Sequence, residues 1–469
     1  MVFSSQIFLF AYLPAVWLIY YITPRKGKNL ALFLLSLLFY AWGEPIYILL
    51  MLASLTLAYF FGLFIGEYRT ERPRRAKVFT TLSVCISLSF LLFFKYYNFF
   101  AQNLSRLPII NVPTIAGLVL PIGISFYTFQ IISYTVDVYR GDCAAQKNYI
   151  NFGAYVTLFP QLIAGPIVRY TEIDEQLTNR RENIDDFAKG ILRFVAGLAK
   201  KVLIGDALAA GYVYFCDSMG VQPTVVGAWM VVILYSLHLY YDFSGYSDMA
   251  IGLGQMFGFR FPENFNYPYI SKSITEFWRR WHMSLSSWFR EYVYIPLGGN
   301  RVGAFKRYRN LAVVWLLTGF WHGADWNFVL WGVYFALILI LERACLLKFL
   351  EKSPRAIGHI YSLFLIGVGF LIFSHNDLSA AFSTFLSLFG IGAGSVASAE
   401  ALYTLIRLTP LILVSAIGAT PLPKRFWESI QARNPRLQAA TVIFCILLLV
   451  VCVAYLVDST FSPFEYTQF

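Results

Sequence analysis

Long apolar runs separated by short charged or Pro/Gly joints make up most of the chain. The first run, 3–22, ends at Pro24 and a basic group of Arg25, Lys26 and Lys28. The next two, 30–42 and 46–65, are divided by Gly43, Glu44 and Pro45, a tight-turn signal. Further runs occupy 78–94, 115–139, 187–215, 225–253, 311–321, 328–341, 357–373, 402–419 and 439–457. At about 20 apolar residues per crossing helix, they predict about 11–12 transmembrane helices. Arg69, Arg72, Arg74, Arg75 and Lys77 follow the third run, so an N-terminus on the outside puts this cluster in the cytoplasm. An even number of crossings returns the tail 458–469 to the outside and keeps Arg343, Lys348, Lys352, Arg355, Lys424, Arg425, Arg433 and Arg436 inside. No basic segment precedes the first run, so a retained first helix is expected in place of a cleaved signal.

Two stretches break the pattern. Residues 151–166 place Pro160, Gly165 and Pro166 in an apolar setting, which predicts a re-entrant element shielded by protein. Residues 257–310 mix Pro262, Pro268, Pro296 and many basic residues with aromatic ones, which predicts interfacial helices.

Composition narrows the class. Of 469 residues, 58% are hydrophobic and 13% charged, against roughly 45–50% and 25% in soluble domains. A soluble globular protein is excluded, and one integral membrane domain over 1–469 in an all-α polytopic fold is expected. The net charge of +11 is accounted for by cytoplasmic loops facing lipid headgroups, so no nucleic-acid partner is inferred. The six cysteines are scattered, without a CxxC pair, and give no zinc or disulfide framework. GxxxxGK, GxGxxG and GxSxG are all absent, which removes the usual carriers of nucleotide hydrolysis, hydride transfer and hydrolase-fold acyl transfer.

The candidate chemistry is histidine chemistry. At 100° per residue, Ile274, Phe277, Trp278, Trp281, Leu285, Trp288, Phe289 and Tyr292 form one stripe of an amphipathic helix. His282 falls within that stripe and is predicted to point into the protein. His322 sits in a segment from Thr318 to Trp326, between two runs whose far ends are both basic, so the chain enters the membrane and returns. Half of that excursion spans about 25 Å, which puts His322 near or below the outer edge of the hydrocarbon. An ionisable residue at that depth is a functional candidate. Gly319 and Gly323 are expected to leave the backbone open to a ligand, and Asp325 to orient the imidazole. His238 and Asp242, four apart in a helical run, are expected to hydrogen-bond each other. Arg279, Arg280 and Arg301 are candidates for phosphate binding, and Trp278, Trp281 and Trp321 for a dry channel wall. A transporter or exporter with proton-relaying histidines, and a scaffold that docks periplasmic enzymes, are the alternatives from other classes.

Several blocks carry a family resemblance: Met1-VFSS, LPIGISFYTFQIISYTVDVYRGD ending at Asp142, LFPQLIAGPIVRY ending at Tyr170, YYDFSGYSDMAIGLG ending at Gly254, NFNYPYISKSITEFWRRWHMSLSSWFREYVYIPLGGNR ending at Arg301, and GFWHG ending at Gly323. The chain resembles the membrane-bound O-acyltransferases, in the branch serving alginate biosynthesis and peptidoglycan O-acetylation, with its core motifs in 118–342. The resemblance implies a helical bundle around a central funnel in the bacterial inner membrane. In it, acetyl from cytoplasmic acetyl-CoA crosses to a periplasmic, SGNH-hydrolase-like O-acetyltransferase partner, with no metal. It also implies that His322 and His282 are the essential histidines and that Tyr466, in a tail resembling F-x-Y-x-x-F, carries the acyl group. Phe464, Tyr466 and Phe469 match that tail, whereas Glu465 and Thr467 depart from it. A phenol of pKa about 10 is a poor nucleophile at neutral pH, and a neutral imidazole of pKa about 6.5 can take its proton as it attacks a thioester.

Overall fold

The computed structural model describes residues 2–107, 111–433 and 437–458, and these are overwhelmingly helical. Among the described residues, seven helices are long and apolar enough to cross a membrane: Ile48–Glu71, Pro73–Leu104, Val225–Met256, Trp326–Lys352, Arg355–Ser374, Ala399–Gly418 and Ala439–Asp458. Shorter apolar helices lie at Phe8–Ile22 and Leu378–Ser387. The protein is therefore an all-α, multi-pass membrane protein. Three of the remaining apolar runs have local irregularities. The run at 115–139 becomes helical only at Ile124, after Gly123 takes φ 74. The run at 187–215 is interrupted by a π-helical turn, Lys200–Gly205, that carries two lysines. The helix containing 311–321 opens with Lys306, Arg307 and Arg309.

The contacts gather into two compact units. The first comprises the chain to Phe194 together with Ser247–Pro262. Its helices are α1 (Leu13–Ile22), α2 (Lys28–Gly43), α3 (Ile48–Glu71), α4 (Pro73–Leu104), α5 (Ile124–Arg140), α6 (Tyr149–Thr157), α7 (Phe159–Leu162), α8 (Tyr170–Asn179) and most of α9 (Ile184–Ala199). The segment 151–166 forms α6 and α7 and is almost wholly buried, as its prolines and glycine require. Its backbone is satisfied internally: Phe159 N–H donates to Ser36 Oγ at 3.1 Å, and Gln161 Nε2 donates to Tyr155 O at 2.7 Å. Phe3, Phe8, Phe39 and Phe159 pack as one aromatic cluster around it.

The second unit comprises Val195–Tyr246 and the chain from Glu263 onward. It contains α10 (Asp206–Val221), most of α11 (Val225–Met256), α12 (Ile274–Trp278), α13 (Met283–Phe289), α14 (Ala304–His322), α15 (Trp326–Leu341), α16 (Leu347–Lys352), α17 (Arg355–Ser374), α18 (Leu378–Ser387), α19 (Ala399–Gly418), α20 (Leu422–Arg433) and α21 (Leu437–Asp458). A buried ion pair braces α11: Lys201 Nζ lies 2.9 Å from Asp242 and 2.5 Å from Asp206. His238 places Nδ1 3.0 Å from Gly205 O. Lys201 supplies the cation that the buried Asp242 carboxylate needs.

Candidate active site

α14 and α15 form a hairpin whose backbones nearly touch. A Cβ on Gly319 would lie 2.4 Å from Phe328 O, and one on Gly332 would lie 2.6 Å from Trp315 O. A Cβ on Gly323 would run into the Phe328 ring at 2.1 Å. The space beside these glycines, expected to admit a ligand, is filled by α15. Their bareness serves helix crossing.

That crossing sets His322, the last residue of α14, against aromatic rings. Its ring centroid lies 5.0 Å from Trp331 and 5.2 Å from Phe373, with interplanar angles of 78° and 84°. Trp321 is 5.0 Å away, and His322 is 5% exposed. Asn327 fixes the far wall by donating from Nδ2 to Phe373 O at 3.0 Å, which ties the start of α15 to the end of α17. Asp325 is the N-cap of α15, its Oδ1 accepting the Trp326 N–H at 2.6 Å. Any part Asp325 plays in orienting an imidazole is therefore shared with holding this helix end.

His282 does not lie within a continuous helix. The predicted stripe from 274 to 292 is cut into α12 and α13, and His282 is the last of the four residues between them, in the left-handed region with φ 43. A non-glycine residue there is held by its surroundings. Met283 N–H donates to Asn264 O at 3.0 Å and Asn266 N–H to Arg280 O at 2.9 Å, clamping the break to the non-helical segment before it. The inward orientation expected for His282 is present: it is 1% exposed and stands 4.7 Å from Phe243, ring edge to face.

Asn264 determines which nitrogen of His282 carries the proton. Its Oδ1 lies 3.3 Å from Ser284 N, 2.9 Å from Ser284 Oγ and 3.0 Å from His282 Nδ1. A backbone N–H can only donate, so the Asn264 atom that meets it is the carbonyl oxygen, and Nδ1 of His282 must donate to it as well. The ring is thus the Nδ1–H tautomer, with its lone pair on Nε2. Burial pushes its pKa from 6.5 down to about 3, so it is neutral.

The two histidines border the same indole. Trp321 lies 6.1 Å from His282 and 5.0 Å from His322. Trp278 packs on Trp331 at 5.4 Å, Phe335 at 5.0 Å and Trp315 at 4.7 Å, one ring away from His322. Trp281 stands on the other flank, against Phe265 and Phe370. The position of α12 is fixed by Glu342, which is fully buried. Its carboxylate accepts Ile274 N–H at 2.6 Å, Thr275 N–H at 2.8 Å and Thr275 Oγ1 at 2.6 Å. Of the basic candidates, Arg279 and Arg301 are exposed, whereas Arg280 is paired with Glu276 at 2.9 Å. Tyr466 lies outside the described residues.

Asn264, Trp331, Phe373 and Glu342 were not singled out from the sequence. Only Asn264 carried a signal, as a polar residue between Pro262 and Pro268 in a stretch that does not cross the membrane.

Comparison with known proteins bears on this arrangement of residues. The family model described as the membrane-bound O-acyltransferase family matches residues 144–355, which contain both histidines and Asn264. The chain is 39% identical to a probable alginate O-acetylase of Azotobacter vinelandii over the full length of both. It is 35% identical to a peptidoglycan O-acetyltransferase of Helicobacter pylori, covering 84% of this chain and 81% of that one. A teichoic acid D-alanyltransferase of Bacillus subtilis is 30% identical over 48% of this chain and 59% of its own. With identity of this order sustained from end to end, the chain belongs to the membrane-bound O-acyltransferase family and is a membrane acyltransferase.

Proposed function

We propose that the protein moves acetyl groups from cytoplasmic acetyl-CoA across the bacterial inner membrane to a periplasmic, SGNH-hydrolase-like O-acetyltransferase, for O-acetylation of alginate or peptidoglycan. The observation that carries this is the pair of buried imidazoles bordering Trp321, one of them fixed as a neutral tautomer. The O-acetylases among its relatives support acetyl as the transferred group.

In this reading, His322 is the base. It takes the proton from the Tyr466 hydroxyl as that oxygen attacks the thioester carbonyl. The carbon–sulfur bond breaks, the imidazolium returns the proton to the leaving thiolate, and acetyl remains on Tyr466 as an ester. A hydroxyl of the periplasmic partner then takes the acetyl and restores the phenol. His282 contributes a lone pair at Nε2, so it accepts a hydrogen bond and cannot donate one from that atom. This suits it to orienting the N–H of His322 or the attacking hydroxyl, and not to stabilising a carbonyl oxyanion. Trp278, Trp281 and Trp321 exclude water around the thioester, and Arg279 and Arg301 receive the phosphates of coenzyme A on the cytoplasmic face.

The decisive experiment incubates the purified protein with acetyl-CoA labelled in the acetyl group and maps the label by peptide mass spectrometry. Label on Tyr466 in the wild type, absent in His322→Ala, supports the relay. Label on another residue overturns it.

A further inference from the structure

A cavity of about 630 Å³ lies within the second unit, between α11, α17 and α19. For comparison, small-molecule sites span about 300–1,000 Å³. Its walls include Val232, Leu237, Leu363, Gly367, Ile412 and Ala416. The four polar side chains on its lining all turn their donors into the protein. Trp229 Nε1 donates to Leu388 O, Ser236 to Val232 O, Tyr269 to Ser236 O and Thr420 to Ile417 O. An occupant therefore meets no free donor and has to be hydrocarbon along its length. The three helices that form the walls are among those able to cross a membrane, and Ile360 and Leu363 at its edge are exposed. The cavity is thus walled by membrane-spanning helices and offers a place to an acyl chain.

Charge sets the kind of lipid. The cavity is lined by residues between Ile360 and Val368 of α17 and by the last turns of α19, with Ala419 and Thr420 just beyond. Arg355 is the first residue of α17, and Lys424 and Arg425 follow Thr420 in α20. Lys272 comes two residues after Ile270 of the lining and packs on Gly358. All four are exposed. Lys424 is within 3.9 Å of Glu428, which leaves Lys272, Arg355 and Arg425 as the stronger claimants for an anion. Exposed basic residues flanking membrane-spanning helices attract anionic headgroups.

We propose that this cavity is a binding site for one anionic phospholipid, with an acyl chain in the cavity and the phosphate held by Lys272, Arg355 and Arg425. Native mass spectrometry of the full chain in detergent, with phosphatidylglycerol or phosphatidylcholine added, tests it. The wild type is expected to retain one phosphatidylglycerol several-fold more readily than phosphatidylcholine. Ala416→Phe, at an exposed position on the cavity wall, fills the space and is expected to lose that single retained lipid. Lys272→Gln with Arg425→Gln leaves the apolar walls intact and is expected to erase the preference between the two headgroups. Equal retention of both lipids by the wild type, undiminished phosphatidylglycerol in Ala416→Phe, or preferential retention of palmitoyl-CoA would overturn the assignment.

Discussion

The carbonyl oxygen of Asn264 receives three donors, and this decides which nitrogen of the neutral His282 ring carries the proton. Asn264→Ala removes that acceptor and leaves buried donors unpaired, at a cost of about 1–3 kcal/mol. Acetyl transfer by the folded variant is expected to drop and its pH profile to move, while Asn264→Asp, which retains an acceptor oxygen, is expected to recover part of the rate. His322→Ala removes the proposed base and is expected to lower the single-turnover rate by about 10²–10⁴-fold, with an unchanged elution volume in detergent. Stability carries a second signature. His282 titrates at about 3 in the folded protein against 6.5 ordinarily. Between those values the unfolded chain binds more protons, so stability falls as pH drops from 6.5 toward 3 and is constant above that window. Thermal melts across the window should show a shallower fall in His282→Gln than in the wild type. The inward placement of His282 was legible in the sequence because the aromatic positions around it keep helical spacing. Its left-handed backbone and its partner Asn264 were not, because both depend on a segment 18 residues away folding back onto it.

Among the elements, the hairpin of α14 and α15 depends on glycines whose purpose the sequence left ambiguous. A bare backbone suits a ligand or a second helix equally, and only the position of the Phe328 carbonyl distinguishes them. Gly319→Ala is expected to push the helices apart and destabilise the protein by about 1–3 kcal/mol, visible as a lower melting temperature with both histidines intact. Glu342 poses a similar problem. At the end of an apolar run it resembles a solvated terminus, yet it is fully buried and caps α12. Glu342→Ala is expected to remove about 1.5–3 kcal/mol and to impair transfer by loosening Trp278, with Glu342→Gln retaining more of both. The shielding by protein expected for 151–166 is present, because prolines and a glycine in apolar surroundings leave few alternatives to burial among protein atoms.

At the scale of the molecule, hydropathy gave the class, and seven of the described helices are long and apolar enough to cross a membrane. Apolar content measures burial of either kind: α5 is as apolar as a spanning helix in places but is buried along nearly all its length. The charge pattern predicts that the start of α17 and the start of α20 face one compartment, and a phosphate held by both Arg355 and Arg425 requires the same. Single cysteines at Arg355 and Lys424, introduced into a cysteine-free background, should both resist a membrane-impermeant maleimide in intact cells and react in inverted vesicles. Finally, Trp331 on α15 and Glu342, the residue that follows its last, are eleven residues apart, three turns of helix and hence one side of it. The first touches Trp278 and the second holds Ile274, so α15 acts as a gauge against which α12 is set in length and rotation. Adding or deleting one residue between them would swing the cap by about 100° and strand the indole.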